Sequence, residues 1–369
     1  MKKRQNMRNV KRAVLVKPGR PLEIWERPTP SASSREVIVA VEMAGVCGTD
    51  HHLQSGDIEL PNPMVLGHEA VGRIAELGSE VTTDSAGEPV GVGDLVYWQP
   101  AQPCYRCYAC TILEDVSQCP NLITFQLHQH GDKPPVGAYT QYAWLPGHTA
   151  FFKVPADVPA EALIAFGCAM PTVLHAIDRL GGIQYGQNVI VQGSGPVGLA
   201  ATLLARIAGA GSITVLGAPP QRLEMAERLG ATTTIDVTST SEQERAAAVK
   251  KITDGRGGDI VIEAAGRIPA FAEGVQLVAP NGKYVIIGLW GTPGTSPVEP
   301  RHLNNHNISI IGSNLTKPRH IYETVQVVRK HHQHFPLAEM VTHRFPLEQA
   351  QDALDAVGRG ETLKAVIVP

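Results

Sequence analysis

The chain has 369 residues, too many for one ordinary core, and fits two domains. Apolar residues make up 43 % of it, enough for a sizeable core, and a formal net charge of −3 argues against a polyanion-binding surface and so against nucleic acid as a partner. No apolar run reaches the length of a membrane span, and no apolar stretch follows the basic start at 1–12, so the sequence predicts no membrane partner, no secretory leader and a solvated tail on a cytoplasmic protein.

In chain order, residues 12–45 alternate apolar and polar positions in short runs broken by Pro and Gly, which predicts β-strands. This β-rich, turn-rich texture continues to about residue 155, with GVGDLVYW at 91–98 read as a tight turn feeding a strand. Residues 120–137, rich in His, Pro and Gly, have no period and predict an irregular loop. From 160 to 179 apolar residues recur at helical spacing. From 188 the pattern becomes strand, turn, helix, repeated: strands at 188–193, 212–217, 232–237, 259–266 and 283–290, with helices at 196–210, 220–231, 241–253 and 270–279 between them. That alternation implies a parallel sheet covered on both faces. Residues 313–369 return to mixed character, place His331, His332 and His334 on a solvated helix, and end on the strand KAVIVP.

Gly193-Ser194-Gly195-Pro196-Val197-Gly198 follows an apolar strand and opens a helix. In that context the glycines have distinct tasks: Gly193 for the sharp turn, Gly195 for backbone approach to a pyrophosphate, Gly198 for close helix–strand packing. The helix N-terminus supplies free N–H groups for phosphates. A βα turn without a ligand is the bland alternative. The second strand ends at Gly217, where an NAD site usually carries an acid for the ribose hydroxyls, and the nearest cation is Arg222. The expected cofactor is therefore NAD or NADP, with NAD favoured.

Four of the six cysteines crowd together as Cys104, Cys107, Cys110 and Cys119. In a large, cysteine-poor chain this reads as metal binding in a reducing compartment rather than as disulfides. Four thiolates close a tetrahedral shell, as in a structural zinc site; a four-iron cluster is the alternative. The other two cysteines, Cys47 in GVCGTDHH and Cys168 in GCAMPT, join His68 and Glu69 of GHEAVG. Two thiolates and an imidazole make a shell with a fourth position left for water or substrate. Singly, each of these is more often a buried hydrophobe or a satisfied core side chain.

These motifs, in this order and over about residues 12–369, resemble those of the zinc-containing alcohol dehydrogenases of the medium-chain dehydrogenase/reductase superfamily. The resemblance implies an α/β chain in two parts. One is a GroES-like β-rich catalytic domain over 1–168 and 313–369, with a structural zinc lobe at about 100–120; the other is a doubly wound, parallel-sheet Rossmann domain over 169–312, with the active site in the cleft. Carried over position by position, Cys47, His68 and Cys168 resemble catalytic zinc ligands and Glu69 an alternate ligand. Asp50 resembles the carboxylate that orients the histidine ligand. Thr49 resembles the hydroxyl that bonds the substrate oxygen, and His52 the base at the solvent end of a proton relay. His51 matches no role and reads as an exposed neighbour. Lys364 resembles the basic residue near the cofactor pyrophosphate. Two zinc ions per chain, a small alcohol or carbonyl substrate, and a homodimer or homotetramer joined near 284–312 complete the expectation.

The sequence departs from the family pattern at Gly48, at Tyr105, at Gly217 and in a gap from Cys110 to Cys119 one residue longer than usual. The function implied is hydride transfer between an alcohol and a nicotinamide dinucleotide. Alternatives are a polyol or amino-alcohol dehydrogenase of the same superfamily, in which Glu often stands at the position of Cys168, or an inactive cofactor-binding relative. Trp98 is either a pocket residue or an ordinary buried tryptophan.

Overall fold

The structure, a computed structural model, describes residues 8–29, 31–58, 63–123, 136–291 and 293–369. The tail expected at 1–7 and most of the loop expected at 120–137 lie outside them. The chain packs as two compact units, Met1–Cys168 with Lys317–Pro369, and Ala169–Thr316. No helix among the described residues is long and apolar enough to cross a membrane.

The first unit is built around the strand Val37–Val46, whose run of β-branched and small residues is buried along nearly its whole length. It pairs antiparallel with Ala70–Leu77, Tyr142–Leu145 and Lys364–Val368. The last pairing sets Ala365 opposite Val46, so the C-terminal segment completes the sheet of the N-terminal part. Val14, Val39, Ile74, Tyr139, Leu354 and Trp98 belong to one buried cluster, which makes Trp98 a core residue.

The solvated tail expected at 1–12 is not what residues 8–12 form. Arg8–Leu15 is a strand paired with Glu23–Thr29 and Met64–Val65, and Arg12 is buried. Strand pairing and the burial of its own Val10, Ala13, Val14 and Leu15, not its basic composition, decide its fate. The helical stretch at 160–179 is also corrected: it is two helices, Ala160–Ile164 and Ala169–Leu180, parted at Gly167, whose φ is +25°. Residues on both sides of the break are buried, so apolar periodicity runs through it unseen.

The second unit is a six-stranded, wholly parallel sheet. Its spatial order is Thr233–Asp236, Ser212–Gly217, Asn188–Gln192, Gly258–Glu263, Val278–Ile286, Ser309–Gly312. The third strand in sequence is outermost on one side and the order reverses after the first, the doubly wound arrangement. The helix expected at 270–279 ends at Leu277, where the next strand begins at once. A helix at Pro300–His306 has too few turns for a readable period; Pro300 opens it and Asn307, at φ +52°, ends it.

Candidate active site

Strand Val37–Val46 delivers Cys47 to the start of the helix Gly48–Ser55, which stops at Gly56 in the left-handed region. Asp50, on that helix, is 0 % exposed. Its carboxylate accepts four donors: the N–H groups of Cys47 and Gly67 and the hydroxyl of Tyr139, each at 3.1 Å, and the Nδ1 of His68 at 3.3 Å. A carboxylate can only accept here, so His68 carries its proton on Nδ1 and turns Nε2 towards the thiols.

Ligand atoms of Cys47, His68, Glu69 and Cys168 all lie within 4.8 Å of one another. The Sγ atoms of Cys47 and Cys168 are 3.8 Å apart. Two sulfurs each about 2.3 Å from one tetrahedral zinc stand about 3.8 Å apart, so the pair fits a shared ion. The hydrogen bond from Cys168, and beyond it the His68 charge, hold the Cys47 thiol well below its ordinary value against the effect of burial. Cys168, donating to Cys47 and buried, is pushed well above its own. Two half-buried thiolates in contact repel, and a divalent cation is the group that lets both ionise. Burial works against His68 being charged, but Asp50 and Cys47 raise its pKa well above the usual histidine value.

Glu69 forms an ion pair with Lys364, both side chains 1 % exposed. Burial would raise the Glu69 carboxyl, but Lys364 and His68 bring it down to about 2. The carboxylate fills the space beside two glycines: a methyl group on Gly45 or on Gly167 would strike Glu69 Oε2. The structure sets Lys364 against this carboxylate, beside the cage. Its ammonium is turned into the core of the first unit, because a buried carboxylate needs a counter-charge.

Thr49 and His52 stand three residues apart on the helix and so share a face. His52 Nδ1 lies 2.9 Å from Asp57 Oδ2, which the Ser55 hydroxyl also reaches at 2.8 Å. With a carboxylate as partner, His52 carries its proton on Nδ1. His51 is not an exposed neighbour: it is half-buried, and a methyl group on Gly358 would lie 2.5 Å from its Nε2, so its ring packs on the helix Ala350–Gly358.

The structure also brings the sulfurs of Cys104, Cys107, Cys110 and Cys119 within 4.8 Å of one another. Separations of 3.5 Å for Cys107–Cys110, 3.6 Å for Cys104–Cys119 and 3.9 Å for Cys107–Cys119 again match the edges of a zinc tetrahedron. The Arg106 N–H and the Asn121 amide draw the Cys104 thiol down to about 6. Tyr105 sits at φ +52°, in the left-handed region that favours glycine, and Glu114, within the longer gap, turns at φ +51°.

In the second unit Gly193 has φ +102°, and a methyl group on it would lie 2.6 Å from the Ala264 carbonyl oxygen. A methyl on Gly198 would strike the Gly193 carbonyl, so only glycine lets helix and turn close. Around Gly195 a methyl group would meet nothing, which leaves the space over the turn free for a pyrophosphate. Pro196 and Val197 open the helix Pro196–Ala208, so its first N–H groups face that space. Beside Gly217 stands Ser194, whose hydroxyl donates to the Ala218 carbonyl at 3.0 Å and occupies the place of a Cβ. An acid at 217 is therefore sterically barred. Arg222, on the helix Pro220–Arg228, is half-buried. His331 and His332 are half-buried at the end of the helix Pro318–His331, and His334 is exposed beyond it; neither group of clustered metal-type side chains contains them.

Residues 33–156 match the alcohol dehydrogenase GroES-like domain family, and residues 196–330 the zinc-binding dehydrogenase family. The chain is 44 % identical to a 5-exo-hydroxycamphor dehydrogenase of Pseudomonas putida, over 98 % of this chain and 99 % of that one. The chain belongs to the zinc-type alcohol dehydrogenases of the medium-chain superfamily. A sorbitol dehydrogenase of Bacillus subtilis is 32 % identical over 98 % of each chain. The crystal structure of an alcohol dehydrogenase from Thermotoga maritima superposes with a TM-score of 0.92 at 31 % identity, covering 98 % of this chain and 99 % of that one.

As a zinc-type alcohol dehydrogenase the chain is an oxidoreductase acting on CH–OH groups. In this dehydrogenase, sequence reasoning overlooked Tyr139 on Asp50, Tyr97, whose hydroxyl donates to the Gly167 carbonyl at 2.6 Å, and Asp57 on His52. Tyr97 and Tyr139 carry no motif, and nothing in a linear sequence announces where a hydroxyl will end.

Proposed function

We propose that this dehydrogenase interconverts a secondary alcohol on a bulky, apolar skeleton and its ketone, using NAD. Each chain holds two zinc ions, a catalytic one at Cys47, His68 and Cys168 and a structural one at Cys104, Cys107, Cys110 and Cys119. The observation that carries this reading is the 3.8 Å spacing of the Cys47 and Cys168 sulfurs beside an Asp50-oriented His68.

Zinc supplies Lewis acidity, lowering the pKa of an alcohol oxygen and polarising the carbonyl in reverse. The nicotinamide supplies the hydride acceptor. The chain's own groups handle the proton. Thr49 Oγ would accept the alcohol proton and His52 Nε2 would take the proton released in turn, with the ribose hydroxyls of a bound cofactor linking the two. Asp57 fixes the His52 ring so that Nε2 is the accepting atom. Asp50 keeps Nε2 of His68 available as a ligand. Glu69 stays ionised beside the cage as an alternate ligand, its charge matched by Lys364. Gly193, Gly195, Pro196, Val197 and Gly198 would hold the cofactor pyrophosphate, and Gly217 and Arg222 would meet its adenosine ribose.

The apolar substrate is supported by Cys168, where polyol-type relatives often have Glu, and by the name of the 44 % identical relative. A polyol is the second reading, favoured by the sorbitol dehydrogenase at 32 %. NAD is favoured because a half-buried Arg222 is the sole basic residue near Gly217 in sequence to meet a 2′-phosphate. Clustered thiols suit a reducing, cytoplasmic setting. Among the described residues the edge strand Ser309–Gly312 is paired on one side only, which suits a homodimer or homotetramer joined there. A panel of alicyclic secondary alcohols, simple primary alcohols and polyols, assayed with NAD and NADP, tests the reading. The alicyclic alcohols should give the highest kcat/KM with NAD; a higher value for sorbitol transfers the assignment to the polyol class.

A further inference from the structure

Two buried tyrosine hydroxyls end on the groups that hold the cage in place. Tyr139 is 0 % exposed, and its backbone is tied on both sides: its N–H donates to the Leu66 carbonyl at 3.0 Å and its carbonyl accepts from Ala13 N–H at 2.8 Å. Its ring lies under the turn at Gly67, whose φ is +88°; a methyl group there would strike Cδ1 of the ring. Its hydroxyl then reaches Asp50 Oδ2, on the far oxygen from His68. Tyr139 thus props the backbone just before His68 and pins the carboxylate that aims it.

Tyr97 is 2 % exposed and stands opposite Val71, two residues beyond Glu69, in the strand pair Leu95–Trp98 with Ala70–Leu77. Its hydroxyl donates to the carbonyl of Gly167, the residue in the unusual φ that parts the two helices and precedes Cys168. Each hydroxyl has burial to keep it protonated, so each remains a donor. One hydroxyl therefore acts on the His68 side of the cage and one on the Cys168 side.

We propose that Tyr139, acting through Asp50, and Tyr97, acting through the Gly167 carbonyl, are positioning residues that set the geometry of the Cys47–His68–Cys168 cage. The proposal rests on reading that cage as a zinc site. Removing a partner behind a metal ligand typically costs 10- to 100-fold in metal affinity. Tyr→Phe keeps ring, volume and packing and deletes only the donor, so the loss falls on orientation.

The test is the rate of zinc release to a chromogenic chelator from the zinc-loaded protein, with Cys47→Ser and Cys107→Ser assigning the two phases. Tyr139→Phe and Tyr97→Phe should each speed the Cys47-dependent phase by about 10-fold or more and leave the Cys107-dependent phase unchanged. Cobalt put in place of zinc should show shifted ligand-field bands in both variants. Tyr139→Phe should add less than about 3-fold in an Asp50→Asn background, because it works through that carboxylate. An unchanged release rate and cobalt spectrum for either variant removes that tyrosine from the proposal. A full additional effect of Tyr139→Phe on Asp50→Asn makes Tyr139 a packing residue only. If Cys47→Ser removes no zinc from the parent protein, the zinc reading of the cage fails, separately from the role of the tyrosines.

Discussion

Glu69 and Lys364, 295 positions apart in the chain, form an ion pair closed off from water on both sides. The pairing exists because the last strand, Lys364–Val368, adds to the edge of Val37–Val46 and brings Lys364 against Gly45 and the carboxylate behind it. Lys364→Met should leave that carboxylate buried without a counter-charge and cost about 3–5 kcal/mol, read by urea unfolding. Adding Glu69→Gln should return much of the loss. If the double variant is no more stable than Lys364→Met alone, the pair is not what the lysine is for.

The two cages predict different consequences of losing a sulfur. Cys47→Ser or His68→Ala should abolish turnover, with one zinc fewer per chain and an unchanged far-ultraviolet circular dichroism spectrum. Cys107→Ser should also remove one zinc but lower the unfolding temperature and leave kcat of the folded fraction near the parent value. Loss of chemistry in a well-folded Cys107→Ser protein removes the structural label from the lobe.

In the proposed relay His52 takes up a proton during alcohol oxidation, so alcohol oxidation should fall on the acid side of the profile. Imidazoles change charge between about pH 5 and 8. His52→Ala should slow oxidation by about 10²-fold or more and flatten that limb. Identical profiles for parent and His52→Ala place the proton exit elsewhere.

Gly167 combines a φ of +25° with a carboxylate where a side chain would go. Gly167→Ala should cost about 1–3 kcal/mol in stability, measured by chemical unfolding, and lower zinc content at the Cys168 cage. Full zinc occupancy with parent stability shows that the loop yields more easily than its crowding implies.

Much of the molecule could be read from its residues in order. The strand–helix alternation from 188 onward predicts the parallel sheet, because hydrophobic period and turn chemistry are local properties. The glycine turn and both cysteine sets were visible for the same reason: coordination and backbone conformation select residue types at fixed spacings. What could not be read was every feature set by a partner far along the chain. Arg8–Leu15 looks like a basic tail until its strand partners are in place, and 160–179 looks like one helix until Glu69 and Cys168 require the break at Gly167.

The sequence alone determined the chemistry the protein carries: which thiols, imidazole and glycines are available, and in what order they come. Only the tertiary structure decided what supports them, turning Lys364 inward to Glu69 and landing the hydroxyls of Tyr139 and Tyr97 on Asp50 and Gly167. The physical reason is burial. A charge or hydroxyl removed from water must find a partner, and that partner is chosen by the packing of strands and turns distant in sequence, not by its neighbours in the chain.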